Sequence, residues 1–448
     1  MKLEFRSGIQ IDLCFCFTGS SSLSAIELIS GDGMTVFIRN ISQLITCAGI
    51  ERPRAGEHAG DIGVVTRGAL LIDEGLIVWA GSEDDMPAGI DPDNEIDAQG
   101  RIVTPGLVDP HTHALFAGSR AREFSRRVSG ATYEEIMAEG GGISASARML
   151  RDTSDDDIIQ QTVGRLNRML SYGVTSCEIK SGYGLSTEEE VRSIRLIDEL
   201  GKVVPLDIIP TYMGAHAIPP EAEKNRGEFI QYIINEMTPA VAETGLAEFC
   251  DVFCEEGVFT VEESRRILLG AAEYGMKLKI HADELASSGG TRLGAELGVV
   301  SADHMLQSSR ADISALREAG GIGVILPGTC LGLGKTSFAP GGIMVELGLP
   351  VALATDLNPG NCYCENLPLM ITLGSLYAGL SVEQAIIGVT INAAYACGIG
   401  EFSGSIETGK WGDIVIWDAD RYEELAYHFG VSLAHTVLKR GEAVYSVD

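Results

Sequence analysis

Residues 105–113 read Pro-Gly-Leu-Val-Asp-Pro-His-Thr-His, a short apolar strand that leaves a turn and ends in two histidines. The same form recurs over 174–180, 207–216, 249–256, 277–284, 299–305, 321–329 and 351–358. Amphipathic helices separate the runs, and that alternation signals a parallel sheet. Ser154 caps a helix whose apolar face is Ile158, Ile159, Val163, Leu166 and Leu170, stopped by Gly173. Ser186 with Glu189, and Thr260 with Glu263, read as capping boxes, the latter helix ending at Gly275. Eight βα units in about 290 residues suit a closed (β/α)8 barrel of the TIM type, within the α/β class. An open doubly wound sheet is the alternative, because sequence does not display closure.

Outward from this middle the texture changes. Residues 35–46, 69–80 (broken by the turn Asp73-Glu74-Gly75) and 94–103 (broken by Ala98-Gln99-Gly100) read as strands and tight turns. So do 405–406, 413–418 and 436–444, the last broken by Arg440-Gly441-Glu442. The expected layout is a barrel over 105–397 and a small β-sandwich domain built from 35–104 and 398–448. Residues 1–34 stand apart as an extension, either disordered or a start assigned too early, with Met34 the working start. Lys2, Arg6, the apolar 11–17 and the serines at 20–24 imitate a signal peptide only faintly, since Asp12 interrupts the run.

The chain has 448 residues, 45% hydrophobic and 21% charged, which is ordinary for a globular protein with a real core. Its 33 Lys and Arg against 63 Asp and Glu leave a net charge of −30. A field of that sign repels phosphate backbones and anionic lipid, so neither nucleic acid nor a membrane surface is an expected partner. No apolar stretch approaches the ~20 residues of a transmembrane helix. Ten cysteines are too sparse for a disulfide scaffold, and neither Cys14-x-Cys16 nor Cys362-x-Cys364 has the paired C-x-x-C spacing of structural zinc. A reducing cytoplasm is the expected compartment.

Of the eight histidines, five (His111, His113, His216, His281 and His304) fall at the C-terminal ends of expected barrel strands. That is the face where barrel enzymes keep their active sites. On a strand, residues i and i+2 share a side, so His111 and His113 aim together into the barrel mouth. Asp356 ends the eighth strand, which lies beside the first in a closed barrel. Three imidazoles and one carboxylate, with room for water, make a catalytic rather than a structural metal site. A bound Zn²⁺ lowers the pKa of water to about 7, and Glu284, His304 and Asp356 are the candidates to move protons. Lys180 reads as a charged neighbour within the core in preference to a substrate contact. The fourth strand ends in Cys254-Glu255-Glu256 without a lysine to bridge a second ion, so one metal is expected. The run Gly328 to Lys335-Thr336 misses the phosphate-loop spacing by one residue and is set aside as a glycine-rich barrel loop.

With these residues in view, 105–113 resembles the first-strand motif of the amidohydrolase superfamily. Within it, the chain is similar to the imidazolonepropionase family. The runs that carry the likeness are HTHALFAGSRAREF (111–124), CEIKSGYGL (177–185), GAHA (214–217), HADE (281–284), ADH (302–304), LPGT (326–329), ATDLNPG (354–360), TINAAYA (390–396) and YHFG (427–430). The resemblance implies a homodimer holding one Zn²⁺ or Fe³⁺ per chain through His111, His113, His281 and Asp356. It implies a small carboxylate substrate, 4-imidazolone-5-propionate, opened by water to N-formimidoyl-L-glutamate. Arg120, Tyr133 and Tyr183 would receive the substrate, with the propionate against Arg120. His216 would contact the ring, Asn358 would line the pocket, and Glu284 and His304 would transfer protons. Gly341-Gly342 after Pro340, and Asn361-Cys362-Tyr363-Cys364, depart from the family pattern beside the pocket. Two rival readings are a cyclic-amidine deaminase of the same superfamily and a non-catalytic scaffold protein.

Overall fold

The computed structural model describes residues 2–4, 10–12, 34–49, 52–132, 135–136 and 139–447. Strands β1 (Lys2–Glu4) and β2 (Gln10–Asp12) pair antiparallel with each other. The rest of the expected 1–34 extension, apart from Met34, lies outside the described residues.

One sheet gathers both chain ends. It contains β3 (Thr35–Ile45), β4 (Val64–Asp73), β5 (Leu76–Ser82), β6 (Asn94–Asp97) and β7 (Ile102–Pro105). The chain then leaves for the barrel: β8 (Leu107–Asp109), β9 (Val174–Lys180), β10 (Asp207–Ala215), β11 (Phe249–Cys254), β12 (Lys277–Ala282), β13 (Ser301–His304), β14 (Ile322–Ile325) and β15 (Val351–Leu353). It returns to the first sheet as β16 (Ile414–Trp417), β17 (Ala434–Lys439) and β18 (Glu442–Ser446). That sheet runs β18-β17-β16-β7-β3-β4-β5, with β6 on β3, and is one continuous surface.

β8 to β15 lie side by side in chain order, each parallel to the next. The first strand meets the eighth through Asp356 N–H donating to the His111 carbonyl at 3.1 Å and His113 N–H donating to the Leu357 carbonyl at 2.9 Å. Thr355 adds its hydroxyl at 2.6 Å to the Asp109 carboxylate. The barrel is therefore joined where the sequence left closure open. Gly106 is required at the junction with the other sheet, since a Cβ there would lie 2.2 Å from Thr175 Oγ1.

The helices start where the capping signals place them. Ser154 accepts from Asp157 N, and Thr260 with Glu263 completes a capping box. Ser186 makes only half of its expected box, because the Glu189 carboxylate accepts from Arg192 at 3.0 Å instead. An ion cluster docks the two sheets: Lys439 donates to Asp413 at 2.6 Å, and Arg440 pairs with Asp207 of β10 at 3.1 Å.

The candidate metal centre

The expected strands overrun the observed ones at the barrel mouth, for a physical reason. Asp283 (φ 53°), Met305 (φ 56°) and Asp356 (φ 54°), each past the end of its strand, take left-handed backbone that a strand does not sustain. Such conformations cost free energy in residues other than glycine and gather where side chains must be aimed. His111 and His113 likewise lie beyond the last residue of β8, yet Thr112 between them bridges Leu357 and its carbonyl accepts from Lys180 N at 2.8 Å. The segment is extended and held on both sides, so both imidazoles point inward as alternation requires.

One donor nitrogen from each of His111, His113 and His281 lies within 4.8 Å of the others, and all three residues are buried. Nε2 of His113 and Nε2 of His281 are 3.3 Å apart. Asp356 Oδ1 is 3.6 Å from His111 Nε2 and 3.8 Å from His113 Nε2. Thr329 donates its hydroxyl to the other carboxylate oxygen of Asp356. His111 Nδ1 meets Asp303 Oδ2 at 2.6 Å, which puts the proton on that nitrogen and leaves Nε2 with a lone pair. That Nε2 is buried without a hydrogen-bond partner among the described residues. Burial holds His111 and His113 well below the ordinary imidazole range. For His281 burial also pulls down, but Asp251 outweighs it and raises the group. Nitrogens at 2.0–2.1 Å from a tetrahedral ion sit about 3.3 Å from each other, so this donor set fits a single transition-metal ion.

The candidate proton carriers flank the set. His304 stands with its ring 5.3 Å from His281 and 5.5 Å from His111, and Glu284 Oε2 is 3.8 Å from His304 Nε2. His216 stacks on His113 at 4.8 Å with the rings 17° apart. Its Nδ1 lies 3.0 Å from the Gly182 carbonyl, which accepts only, so Nδ1 bears hydrogen and Nε2 is the free acceptor. Burial pushes His216 down to about 3, so this ring stays neutral. Tyr183 packs 5.2 Å from His216; burial raises its phenol, and Arg120 pulls it partly back.

Arg120 itself is half committed. Its Nε and Nη2 donate to Glu123 Oε2 at 2.9 and 2.8 Å, while Nη1 lies against Gly360. The loop before it is anchored by buried Arg165, whose guanidinium donates to the carbonyls of Ala114 and Phe116 and lies over the Phe116 ring. A cavity of about 360 Å³, lined by Arg120, Phe124, Gly360, Cys362 and Tyr363, opens beside it. Asn358 spends its amide on its own loop: Nδ2 donates to the Asp356 carbonyl at 2.7 Å, and Oδ1 accepts from Gly360 N and Asn361 N. Tyr133 lies outside the described residues.

Sequence reasoning overlooked Asp251, Asp303, Glu178 and Lys279, all fully buried beneath the imidazoles, and Thr329 on Asp356. A usable signal existed. Parallel barrel strands run nearly continuously apolar, so charged residues inside them mark a built polar layer.

The amidohydrolase family profile matches residues 102–444. An imidazolonepropionase of Alkaliphilus oremlandii is 45% identical over 414 residues, which is 91% of this chain and 97% of that protein. Among solved structures, a triazine hydrolase of Arthobacter aurescens is matched with a TM-score of 0.73 at 17% identity, over 92% of this chain and 95% of that one. A zinc-bound adenosine deaminase of Xanthomonas campestris is matched at 0.67 and 18% identity, over 92% and 93%. At such identities the two solved structures speak for the fold alone.

Proposed function

This chain belongs to the amidohydrolase family and, within it, to the imidazolonepropionases, and from that premise we propose that it hydrolyses 4-imidazolone-5-propionate to N-formimidoyl-L-glutamate in the degradation of histidine. The observation that carries the reading is the pairing of a single-ion donor set with an arginine and a tyrosine at one barrel mouth. A cyclic-amidine deaminase has less need of a guanidinium aimed at a carboxylate, and a scaffold protein needs no such donor set.

His111, His113, His281 and Asp356 would hold one Zn²⁺ or Fe³⁺, since imidazole and carboxylate suit both. When bound, the ion supplies Lewis acidity and makes hydroxide available at neutral pH. The protein's own groups do the rest. Arg120 takes the propionate with Tyr183, and Tyr133 is assigned to the same carboxylate by the resemblance. The planar guanidinium suits that task, and the phenol, held protonated by burial, donates beside it. His216, neutral with its proton on Nδ1, offers Nε2 to a ring N–H. Breaking the C–N bond of the ring amide converts the carbonyl to a carboxylate, so the attacking water gives up both of its protons: one reaches the departing nitrogen and the other passes to the product amidine or to solvent. Glu284, His304 and Asp356 share that traffic, with Glu284 and His304 close enough for a short relay. Asn358 fixes the loop that forms the wall.

The compartment and assembly follow the same reading: a homodimer in the cytoplasm. The eight described cysteines are all free thiols, and no helix among the described residues is long and apolar enough to cross a membrane. The test is turnover of imidazolone propionate followed by loss of the ring absorbance. Activity should disappear on chelation and return with Zn²⁺ or iron. Full activity in metal-stripped protein would reject the proposal.

A further inference from the structure

Below the imidazoles the barrel is filled by charge. Glu178 and Lys180 alternate on β9, Lys279 and His281 on β12, while Asp251 comes from β11 and Asp303 from β13. All these side chains are shut from solvent apart from a sliver of His281. Lys180 Nζ is the hub: it lies 2.7 Å from Asp251 Oδ2, 2.9 Å from Glu178 Oε2 and 3.5 Å from Asp303 Oδ2. Two of those carboxylates hold donor histidines. Asp303 Oδ2 is 2.6 Å from His111 Nδ1. Asp251 Oδ2 is 3.1 Å from His281 Nδ1, an ion-pair contact outside hydrogen-bond geometry, and its Oδ1 accepts from the His281 backbone N–H at 3.2 Å. One ammonium therefore touches the very oxygens that orient two of the three rings. Lys279, buried as deeply, sits 3.0 Å from Glu178 and over the Phe249 ring; its charge reaches Asp303 from a distance, but among the described residues it forms an ion pair with neither Asp251 nor Asp303.

Counted as ionised, Glu178, Asp251 and Asp303 outnumber Lys180 and Lys279 by one, and Asp251 and Asp303 are the two that reach the imidazoles. A buried charge is tolerated when it is paired and hydrogen-bonded. Here the excess faces the donor set, where a cation is the natural complement. Carboxylates that hold the far nitrogen of a metal-binding imidazole fix its ring and raise its basicity.

We propose that Lys180 is a positioning residue for the metal centre, a single strut that spans Asp251 and Asp303 and thereby fixes the rings of His281 and His111 as one unit. The inference rests on the metal reading given above. It separates Lys180 from a mere charge balance: any cation in the layer would balance charge, whereas only one at this point ties the two rings together.

The test uses full-length protein and Zn²⁺, with affinity measured by competition against a chromogenic chelator and melting of the metal-free form recorded alongside. Lys180→Met should weaken Zn²⁺ binding by about 10- to 100-fold, the usual size of an outer-layer effect. Lys279→Met, which removes an equally buried ammonium, should lower the melting temperature while leaving Zn²⁺ affinity near wild type. Should Lys180→Met fail to fold, Lys180→Met with Glu178→Gln removes one charge of each sign and keeps both ring-holding carboxylates. That pair should fold and still bind Zn²⁺ at least tenfold more weakly. Wild-type affinity in either Lys180 variant, or an equal loss in Lys279→Met, overturns the proposal. A wild-type protein that holds no Zn²⁺ or iron at all would instead overturn the metal reading on which it rests.

Discussion

Gly360→Ala is the smallest change that probes the substrate end of the pocket. A Cβ built on Gly360 comes 2.4 Å from Arg120 Nη1 and 2.9 Å from Cζ. Ordinary contact begins at 3.4 Å, so the guanidinium must retreat by 3.4 − 2.4 = 1.0 Å. The backbone at 360 is outside the left-handed region, and the displaced atoms are the far end of a flexible side chain. The fold should barely respond, with a melting shift within about 2 °C. Function should respond. A full charge-assisted contact to the propionate is worth about 1.5–3 kcal/mol, or roughly 10- to 150-fold, and a 1 Å misplacement costs up to about 100-fold. We expect kcat/KM for imidazolone propionate to fall about 10- to 100-fold, mostly through KM, with metal content unchanged. Arg120→Met should set the ceiling, and adding Gly360→Ala to it should cost almost nothing more, since the two act on one contact. An imidazolone lacking the propionate should be processed alike by all four proteins. A full-sized loss from Gly360→Ala in the Arg120→Met background would show that the alanine acts through the 361–364 loop and would refute this reasoning.

Three further outcomes are expected. His111→Ala and Asp356→Ala should each lose the bound ion by elemental analysis, whereas full occupancy in both would remove them from the ligand set. Glu263, paired with Arg226, is held down to about 2 from 4.5. A carboxylate lowered in the folded state stabilises above its unfolded pKa, and that contribution disappears as pH falls through the folded value. The melting advantage of wild type over Glu263→Gln should therefore be level above about pH 5, shrink below about 4.5 and vanish near 2, while a pH-independent difference would contradict the assignment. Deleting residues 1–33, which precede the start of the resemblance, should leave kcat/KM and melting temperature near wild type.

How much of this was legible beforehand differs from residue to residue. The eight strands and the mouth histidines were readable because apolar runs of strand length and their polar ends are local patterns. The ends of those strands were overrun, because left-handed backbone at Asp283, Met305 and Asp356 is set by packing around the site rather than by those residues' own preference. Barrel closure was invisible, resting on bonds between residues about 245 positions apart, such as Asp109 with Thr355. Arg120 was expected at the substrate, and the structure adds that Glu123 already takes two of its donors. Among the buried charges Lys180 was read as a charged core neighbour, but its partners were not, because Asp251 and Asp303 are remote in sequence and come beside it only in the fold.

The central claim is hydrolysis of a cyclic amide carrying a carboxylate, and product analysis tests it most directly. Wild-type protein loaded with Zn²⁺ is given imidazolone propionate and, separately, a cyclic amidine such as cytosine, with the products identified and ammonia assayed in both. The account predicts N-formimidoyl-L-glutamate from the first with no ammonia, and no turnover of the second. Stoichiometric ammonia, or an imidazolone left intact by fully metallated enzyme, would contradict it.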